Sequence, residues 1–128
     1  MRQNISTSTP WEGLAGYSRA VRVGTTVWIA GTTATDEHGR VHGDDAAAQT
    51  AYILQKIGAA LEMAGASLSD VVRTRVYVVH LEDWEAVARV HGHVFGGIRP
   101  ANTLVQVAGL VGGGIVEIEA DAVIQPIE

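Results

Sequence analysis

Four side chains stand where folded strands could turn them toward one cleft. They are Glu117 in the apolar run IVEIEADAV, Asn102 at the head of ANTLVQVAGL, Arg75 inside VVRTRVYVV, and Tyr17 just ahead of SRAVRV. A carboxylate held in partly apolar surroundings has a raised pKa and can take a proton from water, while an amide can orient that water or a carbonyl. The plain alternative for Glu117 is a structural charge, and for Arg75 an ion pair. No other nucleophile competes: the chain has no cysteine, and none of its serines sits in a GxSxG elbow.

Glu117, Glu119 and Asp121 alternate along one strand, so adjacent carboxylates stand ~6.5 to 7 Å apart and cannot share a cation unaided. Of the histidines, His91 and His93 project about 200° apart on a helix, so they make no metal pair. His91 falls on an apolar stripe and reads first as a hydrogen-bonded core residue, second as a catalytic base. The glycines of VGGG lack a following helix and a P-loop lysine, so they are a turn. No metal and no cofactor is expected.

The elements that must position these residues follow from periodicity. Residues 17–33 contain two runs rich in Val, Ile and aromatics parted by Gly24, Thr25 and Thr26, which predicts a hairpin. Asp44 or Asp45 then caps a helix with inner face Ala47, Thr50, Leu54, Ile57, Leu61 and Ala64, ended by Gly65. Residues 71–79 form a strand with Val72, Thr74, Val76 and Val78 on one face and Arg73, Arg75, Tyr77 and Val79 on the other. LEDWEAVARVHGHVF is a second helix with stripe Trp84, Val87, Ala88, His91 and Phe95, stopped by Gly96 and Gly97. Two strands, 103–108 and 115–124, flank the VGGG turn.

The order is ββαβαββ, an α+β sheet with two helices on one face. Two helices cover only one side, so the other side meets water or a partner. Alternation puts Glu117, Glu119 and Asp121 there, and the assumed pleat adds Tyr77, Val79 and Leu104. Such a mixed face suits a subunit interface containing clefts.

With 128 residues, 47% of them hydrophobic, the chain has the size of one domain, 1–128. Its net charge of −5 and scattered basic residues argue against a nucleic-acid partner. No run approaches the ~20 apolar residues of a membrane span, and the first residues lack a secretory pattern, so a cytoplasmic location with no membrane partner is expected. The lack of cysteine agrees with a reducing compartment.

Gly16-Tyr17, Ala30-Gly31-Thr32, Gln49-Thr50, DVVRTRVYVVHLEDW, Pro100-Ala101 and IVEIEADAV together resemble the reactive intermediate deaminase family, also called RidA or YjgF and once labelled endoribonuclease L-PSP. The resemblance spans nearly the whole chain. It implies a chorismate-mutase-like fold, a homotrimer, and small-molecule clefts between subunits. It also implies hydrolysis of enamines or imines such as 2-aminoacrylate to ammonia and a keto acid, without metal or cofactor, by a glutamate-linked water. Glu117 matches that glutamate, Tyr17 the cleft tyrosine, and Gly31 the glycine of the second strand.

Three positions depart from the family pattern. Asn102 follows Pro100-Ala101 where the family carries the arginine that grips a substrate carboxylate. Ala30-Gly31-Thr32 replaces Ser-Gly-Gln, and Ala88 replaces an asparagine, with His91 in place of an aromatic. Losing a charge-assisted pair to a buried anion costs ~2 to 5 kcal/mol. Arg75 and Arg99 are candidate replacements for the missing charge.

The expectation is therefore a RidA-like imine or enamine hydrolase using Glu117 and Asn102, with Tyr17, Gly31, Arg75, His91 and Arg99 around a substrate other than small 2-aminoacrylate-type acids. The alternatives are a non-catalytic trimer that binds a small metabolite in the same cleft, and a scaffold or chaperone-like trimer.

Overall fold

The computed structural model describes residues 1–7 and 9–126. Strands β2 (Ala20–Val23) and β3 (Thr26–Thr33) form the expected hairpin, and Gly24 takes φ 61° at its tight turn, a conformation costly for most side chains. Helix α2 (Ala46–Met63) starts at Asp45, whose carboxylate accepts from the Ala48 amide at 2.8 Å. It ends where Gly65 turns to φ 83°. Its inner face, Ile53, Leu54, Ile57 and Leu61, is fully buried. Each such side chain contributes roughly 1.5–3 kcal/mol, so a charge at Ile57 would unseat the helix.

Strands β4 (Val71–Val78) and β6 (Val116–Val123) alternate as their sequences require, with Val76, Val78, Val116, Ile118, Ala120 and Ala122 in the core. One face assignment changes: Val72 is 43% exposed and Val71 takes the inner position. A bulge inserts a residue between the pairs Val71↔Ala122 and Arg73↔Asp121, which resets the alternation. Helix α3 (Trp84–Phe95) also differs from its expected stripe, because Trp84 and Ala88 are exposed while Val87 and Phe95 are buried and Val90 and Val94 pack beside them. A 3₁₀ turn at Leu81–Asp83, tighter than an α-turn, rotates Trp84 off the inner side.

The six-stranded sheet runs β1-β2-β3-β6-β4-β5. Edge strand β1 (Arg2–Ile5) and helix α1 (Pro10–Ala15) were not anticipated. Only Ile5 of β1 is buried, and α1 has six residues, so neither carries a readable period. Strand β5 (Ala101–Gln106) lies parallel to β4 on the outer edge, not beside β6. Strand β6 instead pairs antiparallel with both β3 and β4, since its inner residues need cover on both sides.

The register Val76↔Leu104 also corrects the expected pleat, placing Leu104 on the core side. The uncovered face carries Trp28, Val105, Arg75, Tyr77, Glu119 and Asp121. Trp28 is 45% and Val105 42% exposed, whereas Tyr77 donates to Glu119 at 2.5 Å. No helix of the described residues is long and apolar enough to cross a membrane.

Candidate functional site

Glu117 lies toward one end of β6, opposite Tyr77 on β4 and Thr33 on β3. Between the pairs Ile29↔Ala120 and Thr32↔Ile118, β3 carries one extra residue, so Ala30 and Gly31 bulge across from Glu119. The bulge brings the Gly31 backbone against Glu117: a methyl group on Gly31 would lie 2.7 Å from Glu117 Oε2. Burial, and secondarily Glu119, raises the Glu117 pKa, while Arg19 opposes the shift. Among the described residues the Glu117 carboxylate accepts no hydrogen bond, so both oxygens are open to a ligand or water.

A cavity of about 280 Å³ opens in front of this carboxylate. Its polar wall includes Tyr17, Arg19, Gly31 and Lys56, and its apolar side is formed by Trp11, Leu14, Ala15 and Val111. Arg19 immediately precedes β2 and is 5% exposed. Its Nη2 donates to the Gly31 carbonyl at 2.6 Å, and its guanidinium carbon stands 5.6 Å from the centre of the Tyr17 ring. Lys56 reaches in from α2, donating to the carbonyls of Thr33 at 2.9 Å and Thr35 at 2.6 Å. Burial, then the charge of Arg19, lowers its pKa to about 8. The same two cations and Thr9 also wall a second cavity of about 340 Å³, whose other lining includes Thr7, Asp36 and Tyr52.

Sequence reasoning missed both cations. The available signals were that Lys56 is the only lysine in the chain and that it adjoins the buried stripe of α2 at Ile53 and Ile57. Arg19 offered no periodic signal, since it precedes its strand.

Asn102, His91 and Arg99 meet elsewhere. Asn102 Nδ2 donates to Thr74 Oγ1 at 2.9 Å, and Thr74 Oγ1 lies 2.8 Å from His91 Nε2. Thr74 is fully buried, and its hydroxyl accepts from the amide while it shares a second hydrogen bond with the imidazole. Burial lowers the His91 pKa, which favours the neutral ring, and that ring rests 4.7 Å from that of Phe95. Arg99 is exposed at φ 60° beside a shallow surface hollow it shares with His91, Gly96 and Pro100.

Within one chain the expected constellation therefore divides. Glu117, Tyr17 and Gly31 share a cavity, whereas Asn102 does not join them, because its pairing with Thr74 turns it to the helix side of the sheet. Arg75 belongs to neither group: its Nη1 lies 3.3 Å from Asp121 and 3.9 Å from Glu119. Among the described residues no group of three His, Asp or Glu side chains could hold a metal ion.

A six-stranded sheet with one open face, and a glutamate-lined cavity beside a glycine bulge, define a small α+β domain built on a single sheet. The family model for endoribonuclease L-PSP matches residues 7–124, and the chain belongs to that family. It is 33% identical over 127 residues to the 2-iminobutanoate/2-iminopropanoate deaminase of Rattus norvegicus, covering 98% of this chain and 93% of the relative. A RutC family protein of Pyrococcus abyssi is 35% identical over 122 residues, with 94% and 96% covered. A crystal structure from Mycobacterium tuberculosis, described as a member of the YjgF/YER057c/UK114 family, superposes with a TM-score of 0.88 at 47% identity, covering 97% of this chain and all of the other.

Proposed function

We propose that the Glu117 cavity hydrolyses an imine or its enamine tautomer. Water adds to the C=N carbon while Glu117 takes its proton and passes it to the nitrogen; Glu117 then takes the hydroxyl proton of the carbinolamine and delivers it to the nitrogen as the C–N bond breaks, so that ammonia and a carbonyl compound leave. The observation that carries this reading is the half-buried Glu117 carboxylate, uncommitted to any donor, held at a cavity mouth with a raised pKa. The deaminase name of the mammalian relative supports it.

Asn102 enters this reading only through assembly. A homotrimer packed through the open sheet face would let the Asn102 edge of one copy approach the Glu117 cavity of another, and the exposed Trp28 and Val105 on that face support such packing. Light scattering coupled to size exclusion tests it, and a monomer mass at micromolar concentration would remove the shared cleft. The second reading, a trimer that binds a metabolite without turnover, is favoured by Asn102 standing in place of the family's arginine.

The deciding experiment generates imines with an amino-acid oxidase and follows ammonia release. Wild type should accelerate release and Glu117→Gln should lower turnover ~100-fold or more, because the amide cannot accept the proton. No acceleration by either protein would leave the binding reading, and equal acceleration by both would remove Glu117 as the base.

A further inference from the structure

We propose that Arg19, backed by Lys56, is the anion grip of the Glu117 cavity, so that the ligand is a carboxylate-bearing molecule held by cations of the same chain rather than from β5. This rests on taking the Glu117 cavity as the substrate site. Three observations carry it.

Arg19 is nearly fully buried, yet its Nε has no hydrogen-bond partner among the described residues. Nε is shut off from solvent, but Nη1 is not; Nη1 makes no hydrogen bond among the described residues, and Arg19 walls both cavities, so an arriving oxygen can meet the guanidinium at Nη1. Lys56 has two carbonyls for its ammonium protons and a third proton left for a ligand. Finally, the charged groups lining the Glu117 cavity are Arg19, Lys56 and Glu117, two cations to one carboxylate, with the buried Glu12 carboxylate acting on both cations from behind the lining. The other arginines proposed for this task are placed poorly, since Arg75 is paired with Asp121 and Arg99 lies with His91 and Pro100.

The apolar lining of the cavity defines the rest of the ligand. Trp11, Leu14, Ala15 and Val111 offer apolar surface and no charge. Gly112, at φ 93°, lets the neighbouring loop close on Trp11: a methyl group there would stand 2.8 Å from the indole. The substrate class is an imine of an apolar 2-amino acid, its carboxylate at Arg19 and its side chain against Trp11 and Leu14.

The test uses binding as well as turnover. Calorimetric titration with pyruvate and with 4-methyl-2-oxopentanoate, the product types, should show binding to wild type, tighter for the larger acid, and far weaker binding of pyruvamide. Arg19→Gln should weaken keto-acid binding ~30-fold or more, and Arg19→Lys should recover part of the loss. Glu117→Gln should retain the binding. Pyruvate bound no better than pyruvamide by wild type overturns the proposal without any variant, so a misfolded Arg19→Gln does not protect it. Unchanged keto-acid affinity in folded Arg19→Gln overturns it as well, whatever the turnover. Conversely, Arg19-dependent binding with no imine hydrolysis would sink the deaminase reading and leave the anion grip standing.

Discussion

Asn102 and Glu117 lie on opposite faces of the same sheet, with β4 between their strands. Asn102 pairs in register with Thr74, whose side chain faces the helices, and Glu117 pairs with Tyr77, whose side chain faces away. Within one chain the amide therefore serves Thr74 and His91, while the carboxylate answers to Gly31, Tyr17 and Arg19. The two residues can act on one ligand only across a subunit boundary.

Glu117→Gln should alter stability with a definite pH dependence. The folded pKa is raised above its ordinary 4.5, so the stability that Glu117 contributes is present below about pH 4.5 and is lost as pH rises through the folded value. Thermal melts at pH 4 and pH 7.5 should show the variant gaining on wild type only at the higher pH. A difference independent of pH would contradict the burial of this carboxylate.

Gly31→Ala tests the close approach that shapes the cavity. The glycine does not need its special backbone freedom, since its φ is not positive, but the added methyl would meet the Glu117 carboxylate at 2.7 Å. The flexible carboxylate should yield and the fold persist, with turnover falling about 10- to 100-fold from misplacement of the base. Normal melting with normal kcat would show that Glu117 is not held at the reacting position.

Lys56 is the chain's only lysine, and its pKa is lowered to about 8 from 10.5. Between those values the unfolded chain binds more protons than the folded one, so the Lys56 contribution to stability rises with pH there and is lost as pH falls through about 8. Urea titrations of wild type and Lys56→Met at pH 7.5 and pH 10 should show the difference moving in favour of wild type at the higher pH. A constant difference would mean that the ammonium is not desolvated.

Thr74→Val keeps the shape of a fully buried side chain while removing the hydroxyl between Asn102 and His91. Both partners lose a hydrogen bond, and the expected cost is about 1–3 kcal/mol, read as a shift of the denaturant midpoint. Ammonia release by the folded variant should be affected far less than by Glu117→Gln. A neutral substitution would mean that the Asn102–Thr74–His91 chain contributes nothing to the β5 edge.

The sequence by itself determined what depends on near neighbours. Asp45 and Gly65 bound α2 because a cap and a left-handed turn are local events, and the alternation of β6 placed Glu117 on the polar face because strand geometry has a period of two. Tyr17, Gly31 and Glu117 were legible as one group because their surroundings carry a family pattern. Tertiary structure decided which strands are neighbours: β6 enters between β3 and β4, and β5 goes to the edge with Asn102 turned toward Thr74. No local signal specifies that choice, since it depends on burying both sides of β6 at once. The bulges at Ala30-Gly31 and Val72 arise from the same pairing, and they reset faces that simple alternation assigns otherwise. Arg19 and Lys56 line the Glu117 cavity together only because a pre-strand coil and a helix side chain, 37 positions apart in sequence, are brought to one cavity wall by long-range packing.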